Sequence, residues 1–467
     1  MKAHSVTLPP PSSSKPRSIL LSVFVTTRAP TTPNKLTMGR IKVLISGGGI
    51  AGNALAFWLS KLGHHVTVIE RFSSLRATGL QIDLRGHGIE AMRRMGLEQA
   101  FRSKSVPEQG LQIVDKSGRR WAYFPANKSG KGLQDFTTEF EIMRGDLCRL
   151  IYDATKDRAK YIFGTSIESF EERDGSVNVR FADGKTDQFD LLVGADGQGS
   201  RTRKMMLGPG TADAFYPLGG SYMGYFTIAR PIQEGEGYVA TSYMATEGRA
   251  VITRRHSPNQ IQAYLSCKTD SERLKSARTG DVRAEKEAMT EIFQGAGWQT
   301  EAILESLKDA SDFYLEHLGI VKLESWSRGR VTLVGDAAYC PSAMTGIGTT
   351  SAMVGAYVLA GEIGRHCGGR SSGEGSADGG DGAKNGRNLE TALKAYEQKF
   401  RPFMDQVQKG ILENNGSMMP TTTFTIALAN CLLGVASFFR LNIMGKLFLR
   451  ENVKGWDLPE YEEMLRD

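Results

Sequence analysis

The chain has 467 residues, 40% of them hydrophobic, enough to bury a large core and to form two domains with appendages. Its 58 basic and 51 acidic residues leave a charge of +7 with no dense Lys/Arg block outside the N-terminus, which argues against nucleic-acid binding. Five cysteines (Cys148, Cys267, Cys340, Cys367, Cys431) form no CxxC pair and the 7 histidines no cluster, which argues for reduced thiols and against a disulfide framework or a metal site.

Residues 1–38 are rich in Ser, Thr and Pro, and no acid occurs before Glu70. They read as a disordered extension or an over-long reading frame that truly starts at Met38, with an organelle-targeting leader as the alternative. Beyond them, an apolar run (Ile41 to Ile45) is followed by Gly47, Gly49 and Gly52, a helical pattern, Gly63, a second apolar run (Val66 to Ile69) and Glu70. This predicts a strand, a glycine turn, a helix and a strand ending in a carboxylate. Gly47 allows the tight turn, Gly49 lets a pyrophosphate approach the backbone, and Gly52 lets the helix pack closely on the strand. Phosphates would sit on the helix N-terminus at Ile50 and Ala51, with Glu70 accepting ribose hydroxyls beside Arg71. The motif predicts an adenine dinucleotide without saying which one.

Two further motifs narrow the choice. Asp190 to Arg203 is an apolar strand opening on Asp196-Gly197, with Ser200 and Arg203 beyond. Later, the strand Val331 to Val334 ends in Gly335-Asp336, and Pro341, a Gly346-Ile347-Gly348 turn, Thr349 and a long small-residue helix follow. A strand delivering an Asp ahead of a glycine turn and a helix N-terminus suits a polyol and a phosphate.

Between these motifs, Gly219 to Lys268 alternates apolar and polar residues in short runs, which predicts an antiparallel sheet. Tyr222, Tyr225, Tyr243, Arg254 and Arg255 are candidate pocket residues there, though each taken singly reads more readily as ordinary sheet packing; His256 reads as a surface or core residue. A helical stretch, Ala284 to Leu307, comes next. Cys367 to Arg387 is predicted to be a loop, and Leu389 to Gly410 a helix. Asn414 to Phe439 carries no charge, but its apolar part from Phe424 is shorter than the roughly 20 residues of a membrane span. It reads as helices capping a site mouth, with membrane anchoring as the second reading.

From Arg40 to the C-terminus, these motifs together resemble the single-component FAD-dependent aromatic hydroxylases, the family of para-hydroxybenzoate hydroxylase, and most closely the branch of the tetracycline-inactivating monooxygenases. The resemblance implies an α/β fold: a Rossmann-like FAD-binding domain of the GR2 type, an inserted antiparallel β-sheet substrate domain and a helical C-terminal region. The FAD domain would span residues 39–210, with a substrate-domain excursion near 108–140, and resume at 318–366. The substrate domain would be 211–317, a flexible loop 367–388, and the C-terminal helices 389–467.

By the same resemblance, Gly47, Gly49, Gly52 and Glu70 hold the ADP half of FAD, and Asp336 after Gly335 binds the ribityl chain and the flavin-proximal phosphate. Arg144 in EIMRGDLCRLI reaches the FAD chain, and Arg85 in QIDLRG lies in another cofactor-contacting region. Asp196, Gly197 and Arg203 match a motif associated with FAD and NAD(P)H. Pro341, Gly346 and Gly348 are the catalytic candidates, in a segment running past Thr349 to Thr350 whose small residues let backbone N–H groups approach the isoalloxazine. One departure is Tyr339, where the family often has His, which puts a proton role there in doubt.

The implied chemistry uses NAD(P)H and O2 to hydroxylate or epoxidise a hydrophobic, aromatic or polyketide-like small molecule of secondary metabolism through a flavin C4a-hydroperoxide, in a site that excludes water. No second glycine fingerprint occurs, so NAD(P)H would dock transiently on the FAD domain. The FxGxxxHxxxW string of Baeyer–Villiger enzymes and the WxWxIP string of flavin halogenases are both absent. An FAD-dependent dehydrogenase or reductase without oxygen insertion, and a non-catalytic redox-sensing flavoprotein, are the alternatives. No general base stands out, the expected location is the cytoplasm unless residues 1–38 direct otherwise, and oligomeric state is not legible.

Overall fold

The computed structural model describes residues 40–76, 79–127, 138–276, 280–367, 381–413, 420–440 and 453–465. The N-terminal extension and most of the 367–388 loop expected from sequence lie outside the described residues.

β1 (Lys42–Ser46), α1 (Ile50–Lys61) and β2 (His65–Glu70) form a parallel βαβ unit. Val43, Leu44 and Ile45 are inaccessible to solvent, as in a strand covered on both faces. β3 (Gln81–Asp83), α2 (Gly86–Arg94) and α3 (Glu98–Arg102) precede β4 (Gly110–Val114) and β5 (Arg120–Pro125), which join a second sheet before β6 (Glu141–Met143) returns to pair with β3. Then come α4 (Arg144–Asp153), β7 (Lys160–Phe163), an antiparallel meander of β8 (Ile167–Arg173), β9 (Ser176–Phe181) and β10 (Thr186–Phe189), β11 (Leu191–Gly194) and α5 (Arg201–Leu207).

Next come β12 (Phe215–Ala229), β13 (Val239–Ala245), β14 (Arg249–Ser257), β15 (Gln260–Lys268), α6 (Glu272–Ser276), α7 (Val282–Phe293), α8 (Thr300–Asp309) and β16 (Tyr314–Val321). β17 (Ser327–Arg328) and β18 (Val331–Leu333) rejoin the sheet of β1, and α9 (Asp336–Tyr339), α10 (Gly348–Cys367), α11 (Asp381–Gln408), α12 (Thr423–Phe438) and a short helix Glu462–Leu465 follow.

The first sheet has the order β17-β18-β11-β1-β2-β7 and is parallel except at β17. The chain winds outward from β1 to β7 and then returns on the other side as β11 and β18. Winding therefore reverses between β1 and β11, and at such a switch point a crevice opens beyond the carboxyl ends of the strands. Gly47 has φ +117°, and a Cβ there would lie 2.5 Å from the Ala195 carbonyl oxygen, so only glycine fits. α1 is buried from Ile50 through Leu59, and its Trp58 meets Tyr357 of α10 edge-on at 5.3 Å.

The second sheet has the order β16-β12-β15-β14-β13-β4-β5. It is antiparallel as expected, with one correction: β4 and β13 pair in parallel, Gly110 against Val239 through Val114 against Tyr243. β4 arrives from the early excursion rather than through a hairpin, so no short turn imposes opposite direction. A second correction concerns Ala284 to Leu307, which is two helices, α7 and α8. Gly295 (φ +71°) and Gly297 (φ +98°) break the run, because a continuing right-handed helix cannot adopt positive φ. Met289, Phe293 and Leu307 of these helices are fully buried in one cluster with the sheet's Val251 and Leu265. Third, α11 begins at Asp381, inside the stretch expected to be a loop. Among the described residues no helix is long and apolar enough to cross a membrane.

Candidate active site

A cavity of about 1710 Å³ runs from the switch-point crevice to the face of the second sheet. Its first end is built by the glycine turn. The Gly47 N–H donates to the Ile69 carbonyl at 2.8 Å, and the Gly48 N–H donates to Glu70 Oε2 at 2.9 Å, fixing the acid at the end of β2 beside the start of α1. Fully buried Asn53 braces the turn: its Nδ2 donates to the Gly48 carbonyl at 2.7 Å, and its Oδ1 accepts from Tyr161 Oη at 2.8 Å. The first-turn N–H groups of α1, unused within any helix, point into the crevice with the positive end of the helix dipole.

The three glycines have separate geometries. A Cβ on Gly52 would lie 1.9 Å from the Gly47 carbonyl oxygen, so its smallness is a packing demand. A Cβ on Gly49 would meet only Arg144 Nη2, at 3.7 Å, so its smallness leaves open space above the helix. That space, with Arg144 on its wall, fits a pyrophosphate.

Asp336 follows β18 and is exposed to the cavity. Gly335 supports it with φ +67°, where a Cβ would stand 2.7 Å from Ala51 Cβ. Past Pro341, Gly346 takes a left-handed conformation with φ +65°, and Gly348 opens α10, where a Cβ would meet nothing within 4 Å. Thr350 Oγ1 accepts from the Arg85 N–H at 2.9 Å and donates to the Arg85 carbonyl at 3.0 Å, tying the start of α2 to α10. The Arg85 guanidinium is buried in an ion pair with Asp83.

Opposite this segment, the second sheet and α12 supply a largely apolar wall that includes Leu111, Ile113, Phe226, Met244, Leu432 and Leu433. Among the polar groups that interrupt it, two hold buried carboxyls. Tyr225 Oη donates to Glu316 Oε2 at 3.2 Å, and both residues line the cavity. Burial, and then the Asp336 carboxylate, push the Glu316 pKa up to about 7, against the Tyr225 hydrogen bond. Arg254 is a different case. Its guanidinium grips Glu108 through two bonds of 2.8 Å and reaches Glu141 at 3.0 Å, while Gln81 Nε2 donates to Glu108 at 2.8 Å. Glu108 and Glu141 are almost inaccessible, and burial raises the Glu141 pKa even against the Arg254 charge. One guanidinium thus holds two buried carboxyls, with a proton favoured on Glu141.

The structure brings most of the residues singled out in the sequence to the lining of one cavity: Gly47, Gly49, Ile50, Ala51, Glu70, Arg71, Arg85, Arg144, Asp196, Gly197, Asp336, Pro341, Gly346, Gly348, Thr349, Tyr222, Tyr225 and Arg254. Several carry other loads than expected. The Asp196 carboxylate is absorbed by its own loop, accepting from Ser200 Oγ and from the N–H groups of Arg201 (2.9 Å) and Thr202 (3.0 Å). Arg203, expected at the cofactor, lies off that lining and is fully buried. It donates to the carbonyls of Gln198 (2.7 Å), Asp213 (2.9 Å) and Ala337 (3.1 Å), stapling the Asp196 loop to α9. Arg71 sits at the rim, stacked 4.9 Å from the Phe72 ring centroid, and Tyr222 stacks on His317 at 4.5 Å. Tyr243 donates to the Ala296 carbonyl and Arg255 pairs with Glu236, so both are packing residues. Tyr339 faces the core, where its hydroxyl accepts from Tyr396 Oη at 3.3 Å, and a proton role at the cavity is excluded by position.

Glu316, Asn53, Glu108 and Glu141 were not found from sequence. Only Asn53 had a local signal, a buried amide inside an apolar first helix turn.

A family model described as an FAD binding domain matches residues 40–376. The chain is 51% identical over 433 residues to the FAD-dependent monooxygenase asL4 of Sarocladium schorii, covering 92% of this chain and all of that one. It is 42% identical over 383 residues to the flavin-dependent monooxygenase eupH of Phoma sp, covering 79% and 85%. The crystal structure of tetracycline destructase Tet(51) superposes with a TM-score of 0.69 at 28% identity, covering 90% of this chain and 99% of that one. With the glycine turn, the switch-point crevice and Asp336 on one cavity, the chain belongs to the FAD-dependent monooxygenases of the single-component aromatic-hydroxylase type, and is an oxidoreductase.

Proposed function

We propose that the protein uses NAD(P)H and O2 to hydroxylate or epoxidise a hydrophobic, aromatic or polyketide-like small molecule. The observation that carries this reading is the apolar wall of the second sheet and α12, facing the Pro341–Thr349 segment across one cavity. The likeness to Tet(51), a destructase of the fused-ring molecule tetracycline, supports the substrate class.

FAD fits the residues present: the space at Gly49, the N-terminus of α1 with Arg144, the anchored Glu70, and Asp336 at the cavity. When bound, FAD supplies electron transfer from NAD(P)H and activation of O2. The protein's own work is positional. α1 and Arg144 hold the phosphates, Glu70 the ribose hydroxyls, and Asp336 the polyol. The first-turn N–H groups of α10, from Gly348, favour negative charge at the reactive end of the cavity. Leu433 and the sheet side chains exclude water there. Glu316, with a pKa near 7 and a hydrogen bond from Tyr225, holds or releases a proton beside the substrate space, the general acid–base role that no sequence motif revealed. NAD(P)H meets the same domain, since no second dinucleotide fingerprint is present.

The test is a substrate panel with flavin-loaded protein, following NAD(P)H consumption corrected for peroxide, and product mass under labelled dioxygen. One labelled oxygen atom per product is the expected result. Turnover without label, or turnover restricted to small polar benzoates, overturns the reading.

A further inference from the structure

We propose that α12 docks the protein on the surface of an anionic lipid bilayer, seated by an apolar stripe and without crossing it. Six large apolar side chains at its end and along its length face solvent: Phe424 (76% exposed), Leu428 (50%), Leu432 (62%), Val435 (50%), Phe438 (82%) and Phe439 (64%). From Phe424 to Phe438, steps of three and four residues place them along one side of the helix, and Phe439 follows at its end. The other side is clipped to β5. The Tyr123 N–H donates to Ser437 Oγ at 2.9 Å, and Ser437 Oγ donates back to the Tyr123 carbonyl at 2.8 Å, while Asn430 and Ala436 are buried. The stripe therefore has a fixed outward orientation rather than freedom to turn inward.

Area and charge select the occupant. The helix has 16 residues. At 1.5 Å per residue and a width of about 10 Å, its face offers roughly 240 Å², well under the ~800 Å² per partner of a stable protein interface. Protein interfaces also carry a polar rim, yet no charged residue occurs from Asn414 to Phe439. From Asn414 to Arg440 the sequence contains no acid, and Arg440 at the end of the stripe is basic. Apolar side chains ending in a cation suit the headgroup–acyl boundary of an anionic bilayer. Leu432 and Val435 also line the cavity. Docking would thus set the cavity mouth against acyl chains and admit apolar substrate from the bilayer. That consequence rests on the proposed reaction, but the docking does not, and vesicle binding tests it without turnover.

The experiment is flotation of the full-length, flavin-loaded protein with vesicles of phosphatidylcholine alone or mixed with phosphatidylserine. Binding to the mixed vesicles, weaker in high salt, is expected. A Phe424→Ser, Leu428→Ser, Phe438→Ser triple variant, none of whose sites lines the cavity, should bind at least about 10-fold less at unchanged flavin content. The salt series on the wild-type protein tests the same point if the triple variant does not fold. No wild-type binding, binding unaffected by the triple variant or indifferent to phosphatidylserine, or a wild-type dimer that the variant makes monomeric without vesicle binding, overturns the proposal.

Discussion

Replacing Gly49 with valine separates cofactor binding from folding, because this glycine owes its identity to open space rather than to conformation. Its φ of −76° and ψ of −169° are ordinary for any residue, and a new Cβ would approach only Arg144 Nη2, at 3.7 Å. The apoprotein should therefore keep its stability to within about 1 kcal/mol, the loss of glycine freedom in the unfolded chain offsetting a poorer helix N-cap. The branched side chain would stand in front of the first N–H groups of α1. Hydrogen bonds to a charged group contribute about 1.5–3 kcal/mol each, so denying two of them costs about 3–6 kcal/mol, or roughly a 10²- to 10⁴-fold rise in the dissociation constant. The assay is the flavin-to-protein absorbance ratio after purification, FAD titration of the apoprotein, and apoprotein melting. Gly49→Ala should fall between the two. Gly52→Val is the control: its Cβ would overlap the Gly47 carbonyl oxygen, so it should lose stability as well as flavin. A Gly49→Val protein that purifies with a full complement of flavin would falsify the assignment of this space to the pyrophosphate.

Four further outcomes rest on the same geometry. Arg254→Met should strand buried Glu108 and Glu141 and destabilise the protein by about 3–5 kcal/mol, whereas Glu141→Gln, which replaces a group already favouring its neutral form, should cost less than about 1 kcal/mol. Equal denaturant midpoints for the two variants would contradict this. A Cβ on Gly355 would overlap Tyr339 Oη, so Gly355→Ala should cost about 1–3 kcal/mol, and adding Tyr339→Phe should recover part of it. Tyr339→Phe alone should leave turnover unchanged, and a tenfold drop in kcat would restore the proton role that its position denies. Glu316 has a folded pKa raised from 4.5 to about 7, so between these values the folded protein keeps a proton that the unfolded chain releases. Its destabilising effect is absent below pH 4.5, grows as pH rises and is complete above about pH 7. Glu316→Gln should thus melt higher than the wild-type apoprotein near pH 8 and no higher near pH 4; parallel melting curves across that range would refute the burial argument.

The cofactor end was legible because its determinants are local. Gly47, Gly49, Gly52 and Glu70 lie within one βαβ unit, and each acts through the backbone conformation or strand end it creates. The same holds for Gly335-Asp336 and the Gly346 turn. The substrate side was not legible in this way. Glu316 and Tyr225 meet across neighbouring strands, and Arg254 gathers Glu108 and Glu141 from segments more than a hundred residues earlier. Nothing in the spacing of those residues announces their meeting. The same blindness made Arg203 look like a cofactor residue, when its contacts at Gln198, Asp213 and Ala337 make it a staple.

By itself, then, the sequence determined the dinucleotide half of the protein: a parallel unit, its glycine turn and the carboxylates at its strand ends, since these need only short-range chain geometry. The tertiary structure decided what that half confronts. It paired β4 with β13 in parallel, turned Tyr339 into the core, gave Glu316 its raised pKa, and clipped α12 to β5 with its apolar stripe outward. Each of these depends on which distant side chains exclude water from one another, and burial is a property of the packed molecule rather than of the string.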